Sequence, residues 1–150
     1  SDLLRAAGAE HVKVFVICTD DTESNLHSVR LIRRLYPQAR ILARARDRQH
    51  AWRLMDLGTE PFRELYGSSL DVAARVLHEL GYPPEQAASV VQRFRDHDEA
   101  LLREQYLVYD DDAAVVRSAR EARAELVRLF EADLEGKPDA ATRRPEPPRA

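Results

Sequence analysis

Residues 40–47 read Arg40-Ile41-Leu42-Ala43-Arg44-Ala45-Arg46-Asp47. Ile41, Leu42, Ala43 and Ala45 need burial, while Arg44, Arg46 and Asp47 need water, a partner or a ligand. An apolar run that ends in charge predicts a strand with its polar residues at the carboxyl end. In a parallel α/β sheet that is the end where ligands bind. Asp47 then caps a helix bearing Ala51, Trp52, Leu54 and Met55, closed by Gly58.

Upstream, His11 to Thr19 is a nearly continuous apolar run rich in β-branched residues, which suits a strand buried on both faces. Asp20 is placed to cap the next helix, with Glu23 reaching back in a capping box. Leu26, Val29, Ile32, Leu35 and Tyr36 recur along that helix until Pro37 stops it. Strand, helix, strand is the βαβ order, so the two strands pair in parallel through a crossover helix. Ser1 to Glu10 reads as a short helix ended by Gly8, and Thr59 to Phe62 as one more short strand.

Further on, the regular structure is helical. Ser68 and Asp71 form a second capping-box signal, and Leu70, Ala73, Leu77 and Leu80 make a stripe ended by Gly81, Pro83 and Pro84. Pro84 or Glu85 begins a long helix. Asp110, Asp111 and Asp112 interrupt it and cap a last one bearing Val115, Val116, Leu126, Val127, Leu129 and Phe130. The prolines and scattered charges from Gly136 onward predict a tail without a core. The fold class expected is α/β, a partial parallel sheet followed by long helices. Those helices carry more apolar surface than so small a sheet covers, which predicts a partner subunit or further sequence.

The 150 residues suit one domain, at 44% hydrophobic and 33% charged. A net charge of −3 gives no basic face for nucleic acid. The single cysteine excludes an internal disulfide framework, and Cys18 reads as a small buried hydrophobe. No apolar stretch approaches the roughly 18–20 residues of a membrane span. There is no signal-peptide pattern, and a chain opening on Ser1 predicts a piece of something longer.

No glycine-rich phosphate loop, nucleophile elbow, paired-histidine motif or cysteine pair is present, which argues against catalysis. The five histidines, spread over separate segments, read as solvated or locally bonded. Thr19, Asp20, Asp21 and Asn25 sit at a strand-to-helix junction that suits a ligand hydroxyl or phosphate, although capping alone explains Asp20. Arg44, Arg46, Asp47 and Arg63 form the most suggestive group. Arginine's rigid fork fits carboxylates and phosphates, and the alternative is a salt-bridged surface. His97 and Asp98 interrupt an apolar stripe between Phe94 and Leu101. Either the stripe leaves the core at that turn or a polar ligand site interrupts it.

An ordered set of landmarks resembles the second half of the cytoplasmic regulatory domain, of the RCK or TrkA-N type, in Kef potassium efflux systems. They are Asp2-Leu3-Leu4, Ala7-Gly8-Ala9, Asp20-Asp21, Asn25-Leu26, Ile41 to Asp47, Arg63, Leu80-Gly81 and Phe94-Arg95. The resemblance covers Ser1 to about Asp98. It implies a Rossmann-like domain at the cytoplasmic face of the inner membrane, carried by a potassium–proton antiporter. Such domains dimerise through the helices after the sheet and bind a nucleotide, of AMP or NAD type, at the strand ends. Glutathione at the dimer interface holds transport shut, and its electrophile adducts open it. The division implied is 1–66 for the nucleotide-binding half, 67–135 for helical dimerisation and ligand sensing, and 136–150 for the disordered tail.

By the same resemblance, Thr19 and Asp20 flank the nucleotide pocket. Asp47 and Arg63 fall on the glutathione site, with Arg44 beside them. Asp98 stands where the family has a ligand-contacting asparagine. A carboxylate there repels an anionic tripeptide where an amide donates to it, and Asp98 is able to pair with Arg63 instead. The family's Gly-x-Gly-x-x-Gly turn falls upstream of Ser1. The rival readings are the trailing half of a nicotinamide-dependent oxidoreductase and a helical dimerisation module without a ligand. For the oxidoreductase, Lys13 and Lys137 are badly placed.

Overall fold

The computed structural model describes Ala6 and residues 8–135. The helix expected over Ser1 to Glu10 lies largely outside the described residues; what is seen there is Gly8 at φ +70° and a 3-10 turn, Ala9–His11. The tail expected over 136–150 also lies outside them.

Three strands form one sheet in the order β1 (Val14–Ile17), β2 (Arg40–Ala45), β3 (Glu60–Arg63), and both pairings are parallel. The crossovers are α1 (Thr22–Leu35) and α2 (Arg48–Asp56). Phe15 lies opposite Ile41, and Ala45 opposite Arg63. Period-2 alternation along β2 sends Ile41, Ala43 and Ala45 into the core, to which α1 contributes buried Leu26, Val29 and Ile32 and α2 contributes Ala51 and Leu54. Full burial of side chains such as Leu26, Ile41 and Leu54 contributes about 1.5–3 kcal/mol each.

Several local expectations change. β1 is buried on one face: Phe15 points inward, but Val14 is exposed and Val16 is 60% exposed. An unbroken apolar run does not say which of its faces the chain covers. Cys18 is exposed rather than buried, because the strand ends at Ile17 and leaves it beyond the core. In the native protein it is therefore expected to react with a maleimide without denaturant, within roughly tenfold of an unhindered thiol's rate; mass spectrometry checks this, and slow, denaturant-dependent labelling would contradict the exposure.

Asp21, not Asp20, caps α1, its carboxylate accepting the Ser24 N–H at 2.8 Å. That bond holds the Asp21 carboxyl below its ordinary pKa. Glu23 does not reach back; it pairs with Arg53 at 2.7 Å, which lowers its own pKa.

After β3 the chain enters α3 (Glu64–Glu79) directly. The Ser68–Asp71 capping box does not form, because both residues lie within α3. Ser68 and Ser69 turn their hydroxyls back to donate to the Leu65 carbonyl at 3.1 and 2.6 Å. Gly81, at φ +95°, ends the segment as expected. Next come α4 (Pro84–Tyr106) and α5 (Asp112–Glu135).

Two compact units divide after Val91, within α4, while α3 runs unbroken across residues 66 and 67. In the second unit α4 and α5 fold back on each other. Asp111 caps α5 by accepting the Ala114 N–H at 3.0 Å. Buried Gln105 donates to the Val115 carbonyl at 3.3 Å and to the Ser118 hydroxyl at 3.0 Å.

Candidate functional site

The carboxyl ends of the three strands open into a cleft of about 650 Å³. Its walls bring together Thr19 and Asp20 after β1, Arg44 to Asp47 from β2 and its turn, Arg48 and His50 from α2, and Arg63 to Tyr66 from β3 and α3. A larger depression of about 740 Å³ lies on α5, but its walls run only from Asp112 to Glu121 of that one helix. The strand-end cleft is the candidate site because three strands and two helices bring their charges to it.

Four arginines line it, Arg44, Arg46, Arg48 and Arg63, against Asp20, Asp47 and Glu64. Arg44 is already committed. One guanidinium nitrogen donates to Asp20 Oδ1 and the other to Glu64 Oε2 at 2.9 Å. The bond it donates to Asp20, then that to Glu64, pushes its pKa further up, so it carries its charge at all working pH. Arg63 takes another course: its guanidinium lies 3.8 Å over the ring of Tyr66, one helical turn on, a cation–π arrangement that sets its direction. Asp47 caps α2 as expected, accepting the His50 N–H at 2.7 Å.

Beneath the cleft, Asn25 is fully buried and braces the strand ends. Its amide donates to the Thr19 carbonyl at 3.4 Å and to the Arg44 carbonyl at 3.3 Å, leaving Oδ1 buried without a partner. The cleft therefore has a stiff floor, a neutralised Arg44 and an excess of arginine at its rim. Arginine forks at such a rim are chemically suited to carboxylates and phosphates.

Of the residues singled out in the sequence, Thr19, Asp20, Arg44, Asp47 and Arg63 line this one cleft. Asp98 belongs to the second unit, on α4, and is only 8% exposed. Beside it, His97 Nε2 lies 3.8 Å from Glu125 of α5.

Comparison with known proteins places the chain. Residues 68–145 match the family described as Potassium efflux system KefB C-terminal domain, and residues 1–61 match the TrkA-N domain. A solved structure, described as the Shewanella denitrificans Kef C-terminal domain in AMP-bound form, is 37% identical with a TM-score of 0.69. The match covers 72% of this chain and 69% of that one.

This chain belongs to the Kef C-terminal domain family. The α/β, Rossmann-like fold expected from the strand-end stretch is that of the solved Kef domain. Among the described residues, no helix is long and apolar enough to cross a membrane.

Several cleft residues of this Kef domain escaped the sequence reading, Arg48 and Tyr66 among them. Glu64 meets Arg44 from 20 positions away, and its only local signal is that it follows Arg63 directly. His50 is indeed locally bonded, but it is also buried in the cleft wall, and a lone histidine at the third position of a helix gives no sign of that.

Proposed function

We propose that this Kef C-terminal domain binds an anionic regulator in the strand-end cleft and so gates potassium efflux through the antiporter that carries it. The domain senses and relays; it does not catalyse. The observation that carries this is the convergence of Arg44, Arg46, Arg48 and Arg63 on one cleft in a chain of this family.

Arg63 is the principal anion contact proposed: it lines the cleft with its guanidinium held over the Tyr66 ring. Glutathione or an adduct of it is the regulator proposed, with Asp47 setting charge selectivity in the cleft. A nucleotide of AMP or NAD type lies beside Thr19 and Asp20; AMP is what the solved relative holds. Residues 1–66 form the nucleotide-binding half, and 67–135 the helical sensing and dimerisation segment.

A homodimer is proposed through α3 and its C-cap, which expose Leu65, Val72, Val76 and Leu80 at helical spacing along one stripe. The domain works at the cytoplasmic face of the inner membrane.

Isothermal titration of the whole regulatory domain with glutathione and with an electrophile adduct is expected to give heat for at least one of them. Arg63→Ala is expected to weaken that binding roughly 10- to 100-fold, the loss of a charge-assisted contact. No heat from either ligand, or unchanged binding in Arg63→Ala, overturns the reading.

A further inference from the structure

His50 carries chemistry that neither the family nor the cleft's arginines explain. Its side chain is 3% exposed, in the wall of the cleft. Nδ1 accepts the main-chain N–H of Arg46 at 3.2 Å, and the residue's own N–H donates to Asp47 Oδ1 at 2.7 Å. Both bonds close on the same two-residue turn, the one that delivers Arg46 and Asp47 to the site.

An accepting Nδ1 fixes the protonation state. The ring must be neutral, with its proton on Nε2, which is buried and has no hydrogen-bond partner. A second proton makes Nδ1 a donor aimed at a donor, and the Arg46 bond is lost. We propose that His50 is a proton-operated latch on the turn between β2 and α2: neutral, it holds Arg46 and Asp47 in the cleft wall; protonated, it releases the Arg46 main chain and loosens the site.

The charges around the ring decide the pH at which this happens. Burial lowers the pKa of His50 below its ordinary value, and Arg53 on the same helix adds to that. Asp47 at the turn and Glu23 of α1 oppose it. Arg63 and Glu64 line the same cleft from β3 and α3.

With the folded pKa depressed, the unfolded chain binds more protons than the folded one across the interval between the two values. Stability therefore rises with pH there. The latch's contribution is present above about pH 6.5 and is lost as pH falls through the folded value. The functional consequence rests on the gating role proposed above. An antiporter that admits protons acidifies the very compartment its regulatory domain samples, so the latch would couple that acid load back to the anion site.

The test needs no ligand, so its failure is distinct from a failure of anion binding. Amide hydrogen exchange at Arg46, corrected for the intrinsic rate, is followed by NMR in the full chain alongside the His50 ring resonances. Protection of the Arg46 amide is expected to fall with the midpoint of the His50 titration, which lies below about pH 6.5, and to be down roughly tenfold one pH unit below that midpoint. In His50→Asn the side-chain oxygen takes the place of Nδ1 as acceptor and cannot titrate, so protection is expected to hold within about twofold over the same range. Arg46 protection that ignores pH, or a fall of equal size in His50→Asn, overturns the latch. Should the variant fail to fold, the wild-type chain decides alone: an Arg46 midpoint different from the His50 midpoint also overturns it.

Discussion

Asn25→Asp is expected to destabilise the first unit by about 3–5 kcal/mol at neutral pH, a buried charge left without a partner. Asn25 is fully buried, and its two amide hydrogens go to the carbonyls of Thr19 and Arg44, which fixes the orientation of the amide. An ionised carboxylate has no hydrogen to give, so it would face two carbonyl oxygens in a fully buried site. The aspartate escapes part of this by staying protonated, and the loss should therefore shrink as pH falls. Asn25→Ala removes the brace without adding charge and is expected to cost less, about 1–3 kcal/mol. Urea denaturation of the three proteins at neutral and mildly acid pH measures the order. A loss for Asn25→Asp no larger than that for Asn25→Ala would show that the amide does not hold the strand ends.

The residues that made β2 legible were local. Ile41, Ala43 and Ala45 alternate, Asp47 caps the next helix, and Pro37 and Gly81 stop helices where they stand. Each signal acts within about four residues of itself, and so survives without knowledge of the fold. The errors were of another kind. Two consecutive aspartates offered two caps, and the end of β1 decided for Asp21, freeing Asp20 to meet Arg44 24 positions away. Ser68 looked like a cap because nothing in the sequence shows that α3 begins straight out of β3. Val16 and Cys18 read as core because an apolar run is silent about which face is covered. The site followed the same rule. Arg44, Asp47 and Arg63 announced themselves as charge at strand ends, whereas Glu64 and His50 gained their places through partners and burial that only the fold supplies.

Arg33→Ala is expected to cost about 2–4 kcal/mol, although Arg33 lies far from the cleft and gave no signal in the sequence. It sits in the last turn of α1, and its guanidinium donates to four carbonyls: Pro37 and Ala39 at 3.0 Å each, Leu57 at 3.2 Å and Gly58 at 2.7 Å. The first two belong to the loop entering β2, the last two to the turn entering β3. One planar fork therefore sets the lead-in to two neighbouring strands. Gly58 adopts φ +64° at that turn, and Thr59 then returns its N–H to the Leu54 carbonyl at 3.1 Å, so the geometry there is demanding. Some of these carbonyls border solvent and regain water when the arginine is removed, which keeps the loss below the sum of four charged bonds. Arg33→Lys is expected to recover no more than about half of it, because an ammonium has three donors on a flexible stem and cannot span both loops. Thermal or urea unfolding gives the magnitudes, and a lysine variant as stable as wild type would remove the bridging role. Hydrogen exchange gives the location: the amides of Glu60, Phe62 and Arg63, in the strand that Gly58 and Thr59 lead into, should lose more protection than those of Val14 to Ile17. Through β3 the effect reaches Arg63 itself, so a residue remote from the cleft is expected to weaken the proposed anion site by unfixing the strand that presents it.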